Sequence, residues 1–398
     1  MPAPLRWMIW TVAALLGTAS LHAAESHFAA ELIFPLNSEH NHAPGIAELP
    51  DGELFVSWYR GAGERKADDV AVLGARRPAG SNSWSEAFRI ADTPGFPDCN
   101  TCLMVDAKGR LWLFWPIIIA NTWESCLTRY SVADHPEGTG APQWTRSDVM
   151  FLKPADFAER GRADLDRLIA ASPVAPSAQL AKALDSAREK LGDKLYQRLG
   201  WQPRCKPTVL PSGRILLPLY SDTFSCSLMA ISDDEGVTWH ASEPLLGFGN
   251  IQPTVLRRND GTLVAYMREN GPLNKIRASE STDSGETWSP VGTIDLPNPG
   301  AGIDAVRLAS GAWCLVYNDT TDGRNRLAVS LSDDEGKTWP TRRYLENQPA
   351  GKFHYPAVIQ TRNGRIHVVY SYFVEDGKSM KHAEFDEAWL REQPPAQK

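Results

Sequence analysis

Short runs of alternating apolar and polar residues recur along most of the chain and break at glycine-containing turns. Gly213-Arg-Ile-Leu-Leu-Pro-Leu-Tyr220 and Gly261-Thr-Leu-Val-Ala-Tyr-Met-Arg268 are two such runs. This patterning predicts many short strands. One stretch departs from it. Between about residues 155 and 200 the alternation vanishes, and Leu180, Leu184, Leu191, Leu195 and Leu199 recur at helical spacing until Gly200 ends the run. An α-helical insertion is expected there, serving either to cover apolar surface or as a lid beside a pocket.

The strands come in units. Ser232-Asp-Asp-Glu-Gly-Val-Thr-Trp239, Ser281-Thr-Asp-Ser-Gly-Glu-Thr-Trp288 and Ser332-Asp-Asp-Glu-Gly-Lys-Thr-Trp339 are one eight-residue device, with starts 49 and 51 residues apart. Each position has a local role: Ser and Asp side chains bond turn amides, Gly permits positive φ, and Trp packs under the turn. Degenerate copies stand at Ala79-Gly-Ser-Asn-Ser-Trp84 and Glu137-Gly-Thr-Gly-Ala-Pro-Gln-Trp144. A period near 50 residues with several strands per unit marks a β-propeller. With a last unit from Phe353 to Phe385 the count is six blades. The expected fold is all-β, a six-bladed β-propeller forming one domain over residues 25–398, with the helical insertion after blade two.

Composition adds an address and excludes some partners. Residues 1–24 read as a secretory signal: Arg6 supplies the positive start, Trp7 to Leu16 an uncharged apolar run, and Ala23 and Ala24 small residues for cleavage. The run is too short to span a bilayer, so a secreted or periplasmic protein without a stable membrane anchor is expected. A formal charge of -7 argues against nucleic acid as a partner. Six cysteines, Cys99, Cys102, Cys126, Cys205, Cys226 and Cys314, permit disulfides in an oxidising compartment, in 15 possible pairings. Cys99-x-x-Cys102 lacks a second pair and a βαβ context, so structural cysteines are expected there rather than a metal or redox centre.

The eight-residue boxes resemble the Asp-box (BNR) repeats of the sialidase superfamily, and residues 36 to 385 look like its bacterial sialidase-like branch. Arg204-Cys-Lys-Pro-Thr-Val-Leu-Pro-Ser-Gly, Ile251-Gln-Pro-Thr, Gly302-Ile-Asp-Ala-Val-Arg307 and Tyr355-Pro-Ala-Val-Ile-Gln extend the likeness. The resemblance implies a glycosidase pocket with three arginines around a substrate carboxylate, a Tyr nucleophile assisted by Glu, and an acidic acid/base, with no cofactor or metal. Arg presents a planar fork to carboxylate, while a phenol avoids setting a second anion against it.

Carried over by position, Arg268 matches the second arginine, Arg324 the third with Arg326 as competitor, and Tyr355 the nucleophile. The chain departs from the pattern in two places. His42-Ala-Pro stands where the first arginine is expected, and the assisting Glu is missing after Gln252, where Leu256 and Arg257 follow. A His partly replaces a lost arginine below about pH 6.5, or donates one neutral hydrogen bond above it. Glu64 is the expected acid that protonates the leaving oxygen, with Asp69 as fallback and Asp68 beside it. His40, Gln252, Arg204, Lys206 and Asp304 complete the candidate pocket. Each has a bland alternative: His40 and His42 as strand caps, Arg204 and Lys206 as partners of acidic neighbours, and Asp304 with Arg307 as a structural ion pair. The expected substrate is a glycan or glycoconjugate ending in an acidic sugar, sialic acid first. A hydrolase or lyase for uronic-acid polysaccharides and a non-catalytic glycan-binding propeller are the alternatives.

Overall fold

A computed structural model of the protein describes residues 26–171 and 177–392. The leader read in residues 1–24 lies outside them. Six antiparallel sheets follow one another around an axis. Blade one comprises His40–Glu48, Leu54–Gly61, Ala71–Arg77 and Phe88–Ala91. Blade two comprises Cys102–Val105, Leu111–Ile118, Cys126–Ala133 and Arg146–Val149. In blade three Trp201–Pro203 and Thr208–Val209 both pair with Ile215–Ser221, followed by Cys226–Ser232 and His240–Ala241. Blades four and five run Asn250–Arg257, Leu263–Glu269, Lys275–Ser281, Gly292–Pro297 and Asp304–Arg307, Trp313–Asn318, Arg326–Ser332, Thr341–Asn347.

The last blade draws on both ends of the chain. Lys352–Gln360, Ile366–Val374 and Gly377–Phe385 receive as their outermost strand Phe28–Leu32, in register from Phe28 opposite Phe385 to Leu32 opposite Lys381. This strand lies upstream of the residues whose repeats announce the ring, and nothing in its own pattern reveals its partner.

Each box turns the chain from the third to the fourth strand of its blade, and the degenerate copies occupy the same turn in blades one and two. In the blade-three box the Gly236 amide donates to Ser232 Oγ at 2.7 Å, and the Thr238 amide and hydroxyl donate to Asp234 at 2.8 and 2.6 Å. The blade-five box repeats these bonds through Ser332 and Asp334 at 2.7 to 2.8 Å. Those donors, above all the Thr238 and Thr338 hydroxyls, draw each Asp carboxyl down to about 2. Glycine is required at the turn: at Gly236, with φ of 76°, a Cβ would lie 2.6 Å from the Trp112 ring of the neighbouring blade.

Between blades two and three lie helices α1 (Phe157–Ala171), α2 (Ala178–Gly192) and α3 (Lys194–Arg198). Phe157 packs its ring 5.0 Å from Phe224 and 5.6 Å from Trp201, and Leu191 seats over Gly161, joining the cluster between blades two and three. Leu184 is half-buried and Leu195 is exposed. The insertion covers apolar blade surface.

All six cysteines are buried free thiols, so none of the pairings the sequence permits is formed. Burial raises Cys102, Cys126, Cys226 and Cys314 well above the ordinary thiol range and Cys205 to about 12. A thiol reagent should therefore find almost no reactive group in the native protein and six after denaturation without reductant; fewer than six would reveal a bridge.

Candidate functional site

Three inner strands share one irregularity. The ladder slips between His42 and Gly45 in blade one, Ile251 and Thr254 in blade four, and His354 and Ala357 in blade six. In each, the residue before a proline takes a left-handed conformation: Ala43 at φ 52°, Gln252 at 56° and Tyr355 at 57°. A proline cannot donate to the ladder, so it sits at a bulge, and the bulge re-aims its neighbours. A non-glycine residue in this region costs of order 1–3 kcal/mol, and such outliers cluster at functional sites. Here two of the three, Gln252 and Tyr355, face a cavity at one mouth of the axis.

That cavity has a volume of about 240 Å³ and takes wall residues from every blade. Blade one gives His42, Tyr59 and Glu64; Asn100 and Trp123 flank strands of blade two; blade three gives Tyr220 and Asp222. Gln252 and Arg268 come from blade four, Arg324 from blade five and Tyr355 from blade six. The Tyr355 hydroxyl is its centre. Arg268 Nη1 donates to it at 2.8 Å and Gln252 Nε2 at 3.1 Å, while the Arg324 guanidinium stands 5.7 Å from its ring. Gln252 Nε2 also reaches the Tyr220 hydroxyl at 3.2 Å, which accepts from Asn100 Nδ2 at 3.1 Å. Arg324 donates to the Gly300 carbonyl at 2.7 Å, and burial, with Arg268 nearby, pulls its pKa down. Two guanidinium groups thus converge on one phenol, an arrangement suited to an anionic oxygen or carboxylate.

His42 packs its ring 4.3 Å from Tyr355 and shares a 2.7 Å hydrogen bond between Nδ1 and Ser371 Oγ. Burial foremost, then His354, His40, Arg324 and Arg204, holds it well below the ordinary imidazole pKa. His42 is therefore a neutral group at physiological pH and does not replace an arginine as a cation, which corrects that part of the expectation.

The sequence candidates divide between cavity and frame. His40 meets Glu64 with Nε2 3.3 Å from Oε1, and the Tyr59 hydroxyl donates to the same oxygen at 3.1 Å. Asp69 does not line the cavity: both its oxygens accept the Ala62 amide at 3.1 Å and close the loop that carries Glu64. Asp68 accepts from Asn121 Nδ2 at 2.8 Å. Arg326 is exposed, leaving Arg324 at the cavity wall.

Arg204, Lys206 and Asp304 belong to the axis below. Arg204 is 1% exposed, lies 5.0 Å beneath the Tyr355 ring and donates to the Pro356 carbonyl at 2.9 Å. Lys206 Nζ donates to Asp304 Oδ2 at 2.8 Å, and Asp304 also accepts from Thr254 Oγ1 and the Val358 amide at 2.9 Å. These three staple blades and do not line the cavity, and Asp304 pairs with Lys206 rather than with Arg307, which donates to Asn259. Tyr59, Asn100, Tyr220, Asp222 and Trp123 went unread. Tyr220 lies in, and Asp222 just after, an apolar strand that looks purely structural.

Residues 199–368 match the family of the BNR repeat-like domain. An anhydrosialidase of Macrobdella decora is 26% identical over 178 residues, 40% of this chain and 23% of that protein. Sialidase-3 of Rattus norvegicus is 39% identical over 94 residues, 22% of its length. Over residues 199–368 the chain carries a BNR repeat-like domain. Its matches span less than a quarter of either curated relative. Among solved structures, the chain resembles a protein of unknown function from Dyadobacter fermentans, with a TM-score of 0.67 and 16% identity, covering 90% of this chain and 97% of that one. It also resembles the NanB sialidase of Streptococcus pneumoniae (0.66, 13%, covering 90% and 71%) and a leech intramolecular trans-sialidase (0.66, 14%, covering 91% and 71%). At these identities the likeness is one of fold.

Burial lowers the pKa of four histidines, His42, His354, His367 and His382, and brings His367 to about 2. The unfolded chain then binds protons below about pH 6.5 that the folded chain refuses, so stability is full above that pH and falls as the medium is acidified. The loss amounts to at most about 1.4 kcal/mol per pH unit for each histidine. Urea denaturation between pH 7 and 5 should show this slope, and His354→Gln should reduce it by one proton; an unchanged slope would place the uptake elsewhere.

Proposed function

We propose that the protein is an exo-glycosidase that hydrolyses terminal acidic sugars from glycoconjugates outside the cytoplasm, with sialic acid the leading substrate. The observation that carries this reading is the convergence of Arg268 and Arg324, from different blades, on Tyr355 inside one cavity, Arg268 at its hydroxyl and Arg324 over its ring. A carboxylate displacing water there gains charge-assisted bonds from two planar forks. His42 supplies a neutral edge, and Gln252 and His40 hold the groups around it. The phenolic oxygen of Tyr355 meets the anomeric centre, where positive charge develops as the glycosidic bond breaks. Glu64 and Asp222 are the carboxyls of the wall and manage the protons of hydrolysis.

The cavity is small enough for one terminal sugar, which fits exo action. Among the described residues no helix is long and apolar enough to cross a membrane. The leader-like residues 1–24 support the extracytoplasmic setting. The described residues of the helical insertion do not contribute to the wall.

The deciding experiment is incubation with an aryl sialoside, with free sialic acid and aryl alcohol as the expected products. New ultraviolet absorbance from an unsaturated uronate would identify a lyase instead, and saturable glycan binding with neither product a lectin-like protein. Arg268→Ala or Arg324→Ala should raise KM roughly 10- to 100-fold, since a hydrogen bond to a charged group contributes about 1.5–3 kcal/mol. Tyr355→Phe should lower kcat on the order of 100-fold, the usual scale for one preorganised group at a developing charge. Unchanged kinetics in all three variants would move the site away from this cavity.

A further inference from the structure

Asp222 fixes the direction of a chain of buried amides. Its Oδ2 accepts from Gln202 Nε2 at 2.9 Å, and a carboxylate only accepts, so the Gln202 oxygen is left to face the next group. That oxygen takes Asn100 Nδ2 at 2.9 Å, and the same nitrogen gives its second hydrogen to the Tyr220 hydroxyl at 3.1 Å. Gln202 and Asn100 are both buried, and Asn100 is held in the left-handed region at φ 36°.

A phenol oxygen offers two lone pairs and one proton. Gln252 Nε2 also donates to the Tyr220 hydroxyl, at 3.2 Å, so both lone pairs are taken. Turning the Gln252 amide round would bury two N–H groups where its oxygen now lies without a partner, the costlier choice. Tyr220 must therefore give its proton away, and both of its hydrogen bonds to described residues are ones it accepts. Gln252 Nε2 sits within 3.2 Å of the Tyr220 and Tyr355 hydroxyls alike, which brings the two close enough for one sugar ring to touch both. Both tyrosines line the same cavity.

We propose that the Tyr220 hydroxyl binds an uncharged oxygen of the substrate, a hydroxyl or an acylamino carbonyl on the sugar whose anomeric centre meets Tyr355, with Asn100 and Gln202 as the positioning residues that aim it. Such a contact presupposes the glycosidase reading above and adds to it the part of the sugar that is recognised. Charge divides the cavity. Arg268 and Arg324 at Tyr355 attract a carboxylate, whereas Tyr220 brings no positive charge and Asp222, two residues along, repels an anion. Burial foremost, then the charge of Asp222 and the nearby Tyr355, raises Tyr220 well above the ordinary phenol range, so it remains a donor at neutral pH. A sugar without the matching oxygen leaves that O–H unpaired in a closed site, and sites of this kind reject such analogues.

The test compares aryl sialosides that lack in turn the C4 hydroxyl, the C5 acylamino group and the side-chain hydroxyls. In the wild type one of these deletions should lower kcat/KM about 10-fold or more. In Tyr220→Phe the same deletion should change it by no more than about twofold, because general damage by the variant cancels in the ratio. The position at which the ratio collapses identifies the oxygen; ratios like those of the wild type at every position overturn the proposal. Asn100→Asp exchanges the amide donor for an acceptor, so Tyr220 should turn its proton to the new carboxylate and the ratio should collapse although the phenol is intact. Adding Tyr220→Phe to that variant should then cost nothing further in the ratio, and an Asn100→Asp protein that discriminates like the wild type overturns the positioning role.

Calorimetric titration with free sialic acid and the corresponding deoxy sugars needs no turnover. Binding that discriminates through Tyr220, with no acidic glycoside cleaved, would overturn the glycosidase reading and uphold Tyr220. Cleavage with ratios that Tyr220→Phe leaves unchanged would do the reverse, and neither binding nor cleavage of any of these sugars would overturn both.

Discussion

A guanidinium without a carboxylate partner stands at the centre of this ring. Arg204 reaches across from blade three, gives hydrogen bonds to the Pro44 carbonyl of blade one at 3.4 Å and the Pro356 carbonyl of blade six at 2.9 Å, and lies under the Tyr355 ring. Removing such a charge from water costs several kcal/mol. Two charge-assisted bonds at about 1.5–3 kcal/mol each, with a desolvated cation–π contact of about 2 kcal/mol, offset a cost of that size. The arrangement is stable only if both carbonyls point inward, which is what the bulges at Ala43 and Tyr355 accomplish. Backbone strain, buried charge and the placement of Tyr355 are therefore one coupled solution.

The same coupling explains how much of the molecule was legible in the chain. The boxes are local devices: their Ser, Asp, Gly and Thr satisfy one another within eight residues, so three copies announce a blade period without knowledge of the fold. The helical insertion was readable for the same reason, from leucine spacing alone. Arg268, Arg324 and Tyr355 were found through resemblance, and the structure brings them together. Arg204, Lys206 and Asp304 carry the same residue types in similar phrases, yet they serve the axis. Charge in a sequence does not say which end of a channel it faces.

What escaped the sequence is mainly what depends on neighbours. Asp222 and Tyr220 close an ordinary apolar strand, and Asn100 precedes another; their role exists only once three blades meet. His42 was readable as a site residue but not as a neutral one, because its protonation is set by burial among His354, Arg324 and Arg204. A usable signal was present in His-Ala-Pro, Ile-Gln-Pro and His-Tyr-Pro. A proline inside an inner strand marks a bulge, and at Gln252 and Tyr355 the residue before it lines the cavity.

The outermost strand of the final blade gives the ring a seam made from two remote parts of the polypeptide. His27 donates its amide to Asp386, 359 residues away, and Phe28–Leu32 zips onto Gly377–Phe385 beside it. Contacts of such separation are paid for in loop entropy before they return any stabilisation. Five blades can assemble as the chain emerges, but the toroid stays open until its tail arrives, and the mouth that gathers side chains from all six blades is the last part of the molecule to acquire its shape.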